Sequence, residues 1–182
     1  MKRLAMTIAL MFAIGEGMLF GAGYDTMLLS AHAKLFPKIV MLDKNLEKKL
    51  IEGKVRIVIV SGSKDVQAAQ ELKSMIATGY QGKLMQYSLN VETVDVAALN
   101  DANEASAYYL LSLSDAQIQK VLKIAKKGNS MTFAYDINAL SEGVLISVRV
   151  ETRTTIYFNR AAWNPDALPL RAEFFKVARA YE

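Results

Sequence analysis

A chain of 182 residues, 52% hydrophobic and 22% charged, carries enough apolar material for one globular domain with a buried core. It has no cysteine, which excludes disulfides, zinc–thiolate sites and cysteine nucleophiles, and its single histidine, His32, excludes a multi-histidine metal site. The net charge of +4 is scattered, and its densest cluster, Lys44, Lys48 and Lys49 around Glu47, reads as a solvated helix face and not as a nucleic-acid footprint.

In chain order, Lys2 and Arg3 precede an apolar run from Leu4 to Ile14. That run is too short to span a bilayer and fits the hydrophobic region of a signal peptide. Gly21, Ala22 and Gly23 supply small residues for cleavage, so residues 1–23 are expected to be a leader and 24–182 the mature domain. Thr26 to Leu42 then reads as a helix with Leu28, His32, Leu35, Ile39 and Leu42 on its stripe, kinked or divided at Pro37. Asp43 to Gly53 is a polar, lysine-rich helix or linker.

Val55 to Val60 is apolar throughout, as in a strand covered on both faces. Ser61-Gly62-Ser63 turns into a predicted helix over Lys64 to Thr78, with Val66, Ala69, Leu72 and Ile76 inward and Gly79 as its stop. Lys83 to Val91 is a strand, and Glu92 to Asn103 a loop or short helix. Ala107 to Leu113 is another buried strand. Ser114 to Gln117 is a capping box opening a helix whose Ile118, Val121, Leu122 and Ala125 face inward and which leaves at Gly128. Met131 to Tyr135 is a further strand, and Asp136 to Glu142 a short turn or helix.

From Gly143 the pattern is a hairpin. Val144, Ile146, Val148 and Val150 alternate with Leu145, Ser147 and Arg149, as in a half-buried strand, and Thr154 to Phe158 returns after a break at Glu151 to Arg153. Asn159 can cap the segment after the hairpin, and Leu170, Phe174, Val177, Ala178 and Tyr181 recur at helical spacing. The alternation of strands and helices implies an α/β fold in a single domain: a mixed, mostly parallel sheet flanked by helices, with the hairpin as an antiparallel edge and a terminal helix behind it.

Chemistry is sparse in this pattern. Ser61, Gly62 and Ser63 lie between a strand and a helix, where backbone N–H groups can hold an anion or a small ligand, but neither G-x-G-x-x-G nor G-x-x-x-x-G-K-[ST] is present, and a helix cap explains the turn without a ligand. No G-x-S-x-G accompanies the lone histidine, and the loop acids are ordinary solvated carboxylates. Trp163, the only tryptophan, sits in the segment RAAWNPDALP. It reads either as a core anchor or, with Arg160 and Asn164, as a protein contact, since Trp and Arg are enriched at interface hot spots. No catalytic residue, metal ligand or cofactor is expected.

Three stretches together resemble the YfiR-like family of small exported bacterial regulators: the early helix AHAKLFPKIVML (residues 31–42), the strand–turn–helix VRIVIVSGSKDVQAAQELKSM (55–75), and a glycine-led strand pair from Gly143 to Asn159 followed by Ala161-Ala162, Leu168 and an apolar last helix from Phe174 to Ala178. The resemblance implies a periplasmic α/β domain without catalytic activity that acts on a membrane partner. In the best-known case the partner is an inner-membrane diguanylate cyclase, contacted through its periplasmic sensor domain, which places the family in cyclic-di-GMP signalling. This chain departs from the family pattern in having Gly143 alone before the hairpin, no cysteine pair, and Met41-Leu42-Asp43 where a tryptophan-proline often follows the first helix. The expected partner is thus an inner-membrane sensor protein, with no nucleic acid; a homodimer through the hairpin edge or the first helix is left open.

Overall fold

The computed structural model describes residues 23–181, so the expected leader lies outside the described residues except for Gly23. Eight strands form one sheet in the order β2-β3-β1-β4-β5-β6-β7-β8, comprising β1 (Lys54–Ser61), β2 (Lys83–Leu84), β3 (Tyr87–Asp95), β4 (Ala107–Leu110), β5 (Met131–Ala134), β6 (Ile146–Val150), β7 (Thr154–Phe158) and β8 (Ala178–Ala180). Strands β3, β1, β4, β5 and β6 pair in parallel, and only β2–β3 and β6–β7 are antiparallel. Helices α1 (Thr26–Val40), α2 (Val66–Tyr80) and the short α4 (Ala172–Val177) cover one face; α3 (Asp115–Lys127) covers the other. The mixed, mostly parallel single-domain α/β architecture read from the sequence is the architecture found.

The reason is visible in β1. Ile57 and Ile59 enter the core under α1 and α2, while Val58 and Val60 enter the core under α3. A strand buried on both faces gains apolar contact from every residue, which is why it has no polar alternation. Tyr109 and Tyr108 of β4 likewise divide between the two cores. The capping box forms as expected: the Ser114 N–H donates to Gln117 Oε1 at 3.0 Å, the Ser114 side chain accepts from the Gln117 backbone, and Gly128 ends the helix.

Several local expectations are corrected. Helix α1 is not divided at Pro37; the ring is buried in the last turn, where the missing N–H costs a single hydrogen bond. Its inward stripe is centred on Leu29, His32, Phe36 and Ile39, one residue away from the Leu28–Leu35 line, because the helix packs between α2 and the sheet and buries a wide arc. Lys49 is not on a solvated face. It is buried and paired with buried Asp43 at 2.5 Å, and Asp43 also accepts from the Asn45 N–H. Val66 is exposed, not inward, because a 3₁₀ turn over Ser63–Asp65 delays the start of α2. Gly79 does not stop α2, which runs to Tyr80 and exits through Gln81 and Gly82, both at positive φ. The stretch Lys83 to Val91 is a hairpin, β2 and the start of β3, turning at Met85-Gln86.

The C-terminal segment departs most. The hairpin β6–β7 forms, and the segment leading into β6 is buried toward both faces, with Val144 in the α3 core and Leu145 and Ile146 in the other. The hairpin is not the sheet edge. Helix α4 ends at Val177 and the chain continues as β8, parallel to β7, with Ile156, Tyr157 and Phe158 opposite Ala178, Arg179 and Ala180. Pairing satisfies backbone groups that β7 would otherwise expose, and this outweighs the helical spacing of Val177, Ala178 and Tyr181. Strand β8 pairs along β7, so the hairpin's outer strand is not a free edge.

Candidate functional site

Strand order reverses between β1 and β4, whose following helices α2 and α3 lie on opposite faces. Open α/β sheets bind ligands in the crevice outside the carboxyl ends at such a point. Ser61, Gly62 and Ser63 do lie there. Ser61 is buried at the end of β1, Gly62 precedes the 3₁₀ turn, and Ser63 is exposed on it. Neither serine caps α2; the residue before the helix is Asp65, which makes no side-chain cap.

The crevice is filled by the chain itself. The Tyr24 hydroxyl accepts the Ser112 N–H just beyond β4 at 3.0 Å, and its ring meets the Tyr135 ring edge-on with centroids 4.7 Å apart. The next residue, Asp25, donates its N–H to the Tyr135 hydroxyl at 2.9 Å and caps α1 by accepting from the Leu28 N–H. Burial raises the Tyr24 phenol above its usual pKa, and the carboxylate of buried Asp65 beside it adds to the rise. A negative charge at this turn opposes an anion on the nearby N–H groups.

Below the crevice, His32 is locked between two elements. Tyr109 Oη lies 2.5 Å from Nδ1, and Nε2 lies 2.9 Å from the Val148 carbonyl oxygen. A carbonyl can only accept, so Nε2 carries the proton, Nδ1 accepts from the Tyr109 hydroxyl, and the ring is neutral. Burial pushes its pKa down from 6.5 to about 4, partly opposed by the bond to Val148. With both nitrogens committed, this histidine joins α1 to β4 and β6 and is not placed to act as a base.

The Arg160–Pro169 corner separates the residues expected to make a partner contact. Trp163 is half-buried, donates Nε1–H to the Leu168 carbonyl at 2.8 Å, and packs against Phe158 and Phe175 with centroids 5.6 and 5.1 Å away. Asn164 is exposed, and its Oδ1 accepts from the Asp166 N–H at 3.0 Å. Arg160 is exposed. Trp163 and Asn164 also line a cleft of about 250 Å³ whose other wall is α3 with Leu122 and Lys126. The tryptophan is thus an anchor of the corner with one side open.

A larger concave surface lies elsewhere. Two clefts, of about 480 and 610 Å³, adjoin at Lys38 and Tyr80 on the helical face shared by α1 and α2. The first runs between the two helices past Ala33, Lys34 and Met75. The second continues over Met41, Leu42 and Leu84 to Met85 and Arg171. Tyr80 fixes the waist by donating its hydroxyl hydrogen to the Lys34 carbonyl at 2.7 Å. Sequence reading missed this groove because its walls come from three separated stretches, residues 30–42, 74–86 and 171–173. The one local signal is Met85, an apolar residue at a tight turn. Among the described residues no group of three or more His, Cys, Asp or Glu side chains could hold a metal ion.

No protein-family model matches the chain, and no curated protein matches it. Among solved structures it is similar to a conserved domain protein from Vibrio cholerae, with a TM-score of 0.55 at 12% identity over 85% of this chain and 60% of that one. It is also similar to the ABC domain from Streptococcus pneumonia solved in complex with L-Trp, with a TM-score of 0.51 at 12% identity over 78% of this chain and 61% of that one. Both likenesses are of fold, and the chain spans about three-fifths of the length of each neighbour.

Proposed function

We propose that this chain is a non-catalytic periplasmic regulatory domain that binds the periplasmic sensor part of an inner-membrane signalling protein, a diguanylate cyclase or a sensor kinase, and alters its activity. Export rests on the leader pattern of residues 1–23, and the class of partner on the YfiR-like resemblance. The observation that carries a protein-binding role is the groove along α1 and α2, with its apolar floor and exposed Met85. Binding one conformation of the sensor better than another shifts the partner's equilibrium, and release of the domain is then the switch. The test is fractionation of the full chain in cells, followed by crosslinking and identification of what it touches. Recovery in the periplasm with an inner-membrane receptor is expected; retention in the cytoplasm removes the reading.

A second reading is a small-ligand module at the Ser61–Ser63 turn, favoured by the position of that turn at the strand-order reversal. The L-Trp complex belongs to the Streptococcus domain. For this chain, Tyr24 has to leave before a ligand enters. A thermal-shift screen of anions and small metabolites on the full chain and on Tyr24→Ala tests it: a ligand that raises Tm only when Tyr24 is removed supports the site, and no shift in either protein counts against it.

A further inference from the structure

Resting on the partner-binding reading, we propose that the α1–α2 groove receives an acidic amphipathic helix of the partner, with Met85 as the apolar contact and Lys34, Lys38 and Arg171 as the charged ones. Four observations converge on it.

The first is charge. Lys34, Lys38 and Arg171 line the groove, all three are exposed, and among the described residues no carboxylate lies within ion-pair distance of them. Among the described residues Glu173 is the only acid in the lining. The rim is therefore net cationic, which steers a segment carrying Asp or Glu.

The second is Met85. It is 76% exposed and sits at φ +55 in the two-residue turn between β2 and β3. A turn serving the fold alone would take glycine or asparagine at such a position and no exposed apolar side chain. Strain and apolar exposure together at one residue mark a contact.

The third is shape. The groove runs between two packed helices, the surface into which the ridges of a third helix fit. An added strand would need an open sheet edge, and the one here, the outer side of β3 beyond Leu89 that β2 leaves uncovered, contributes no residue to the groove. A lipid surface would meet a protruding apolar patch, and this one is concave.

The fourth excludes a second copy of the chain. None of its described helices is acidic: α1 carries Lys34 and Lys38 and no acid, α2 offers Glu71 against Lys73, and α3 carries Lys120, Lys123, Lys126 and Lys127 against Asp115.

The experiment places a photo-crosslinking amino acid at position 85, and separately at 163 and at 123, in the full chain in its native cell. Adducts are isolated and the attached peptide is sequenced. The expected result is a membrane-protein adduct from position 85 mapping to a helical segment with Asp or Glu on one face and apolar residues on the other. Its yield should fall at least tenfold in the Lys34→Glu, Lys38→Glu double variant and in Met85→Asn with the crosslinker moved to position 41, while circular dichroism and Tm report intact folding. A membrane-protein adduct only from 163 or 123 overturns the groove and leaves the regulatory reading standing. No membrane-protein adduct from any position overturns both. Adducts from 85 to lipid, to the chain itself or to a basic segment overturn the proposed occupant.

Discussion

His32 sets the behaviour of the core with pH. In the folded chain the ring is neutral with both nitrogens engaged, and burial holds its pKa near 4, below the 6.5 of the free side chain. Between those values the unfolded chain binds a proton that the folded chain refuses. Stability is therefore complete above about pH 6.5 and declines as pH falls toward 4, by about 3 kcal/mol in all from this residue. Tyr109, whose hydroxyl faces the ring, is held protonated by burial throughout that range and does not offset the loss. Urea unfolding at pH 7.5, 5.5 and 4.5 should show the decline. His32→Leu should be destabilised by ~3 kcal/mol at pH 7.5, through the orphaned Tyr109 hydroxyl and Val148 carbonyl, and should show a shallower slope with pH. Gly143 is the second informative residue. At φ +103 it holds a conformation closed to side chains, and an added Cβ would come within 3.2 Å of Leu122 Cδ1. Gly143→Ala should cost ~2 kcal/mol in the same assay. Its place before the hairpin was legible in the chain; its contact with α3 was not, since Leu122 lies on another element.

At the scale of elements, local chemistry and tertiary demand can be told apart. Helix α3 is specified locally: a capping box opens it, a strong apolar stripe packs it, and Lys126, Lys127 and Gly128 close it. Ser114→Ala should lower stability by ~1 kcal/mol in thermal unfolding. Helix α1 was also legible in extent, but its inward arc depended on α2 and β6 lying on either side, and periodicity alone missed the centre of the stripe by one residue. The β2–β3 turn is the converse case, where the local rule is broken. Met85→Asn should relieve the positive φ and raise stability by ~1 kcal/mol, seen as a higher Tm, while weakening partner contact. A gain in stability paired with a loss in binding is the outcome that distinguishes a contact residue from a turn residue.

At the scale of the whole molecule, the C-terminus guards the sheet. Strand β8 is three residues long, carries Arg179, and covers β7 along Ile156, Tyr157 and Phe158. Short charged edges resist edge-to-edge pairing. Removing residues 178–182 should leave β7 open and produce concentration-dependent association by size-exclusion chromatography, whereas the full chain elutes at a size independent of dilution. The sequence by itself determined the α/β class, the doubly covered central strands, the capped helix α3 and the hairpin, because each follows from periodicity, β-branching or capping within one short window. Only the tertiary structure decided that Lys49 is buried against Asp43, that Tyr24 fills the crevice at the strand reversal, that the last turn of the expected helix is a strand, and that three separate stretches meet in a basic-rimmed groove. Lys49 and Asp43 are six residues apart but are buried by packing from elsewhere in the chain; the other contacts join residues tens of positions apart, and their energies come from burial and pairing that no local window contains.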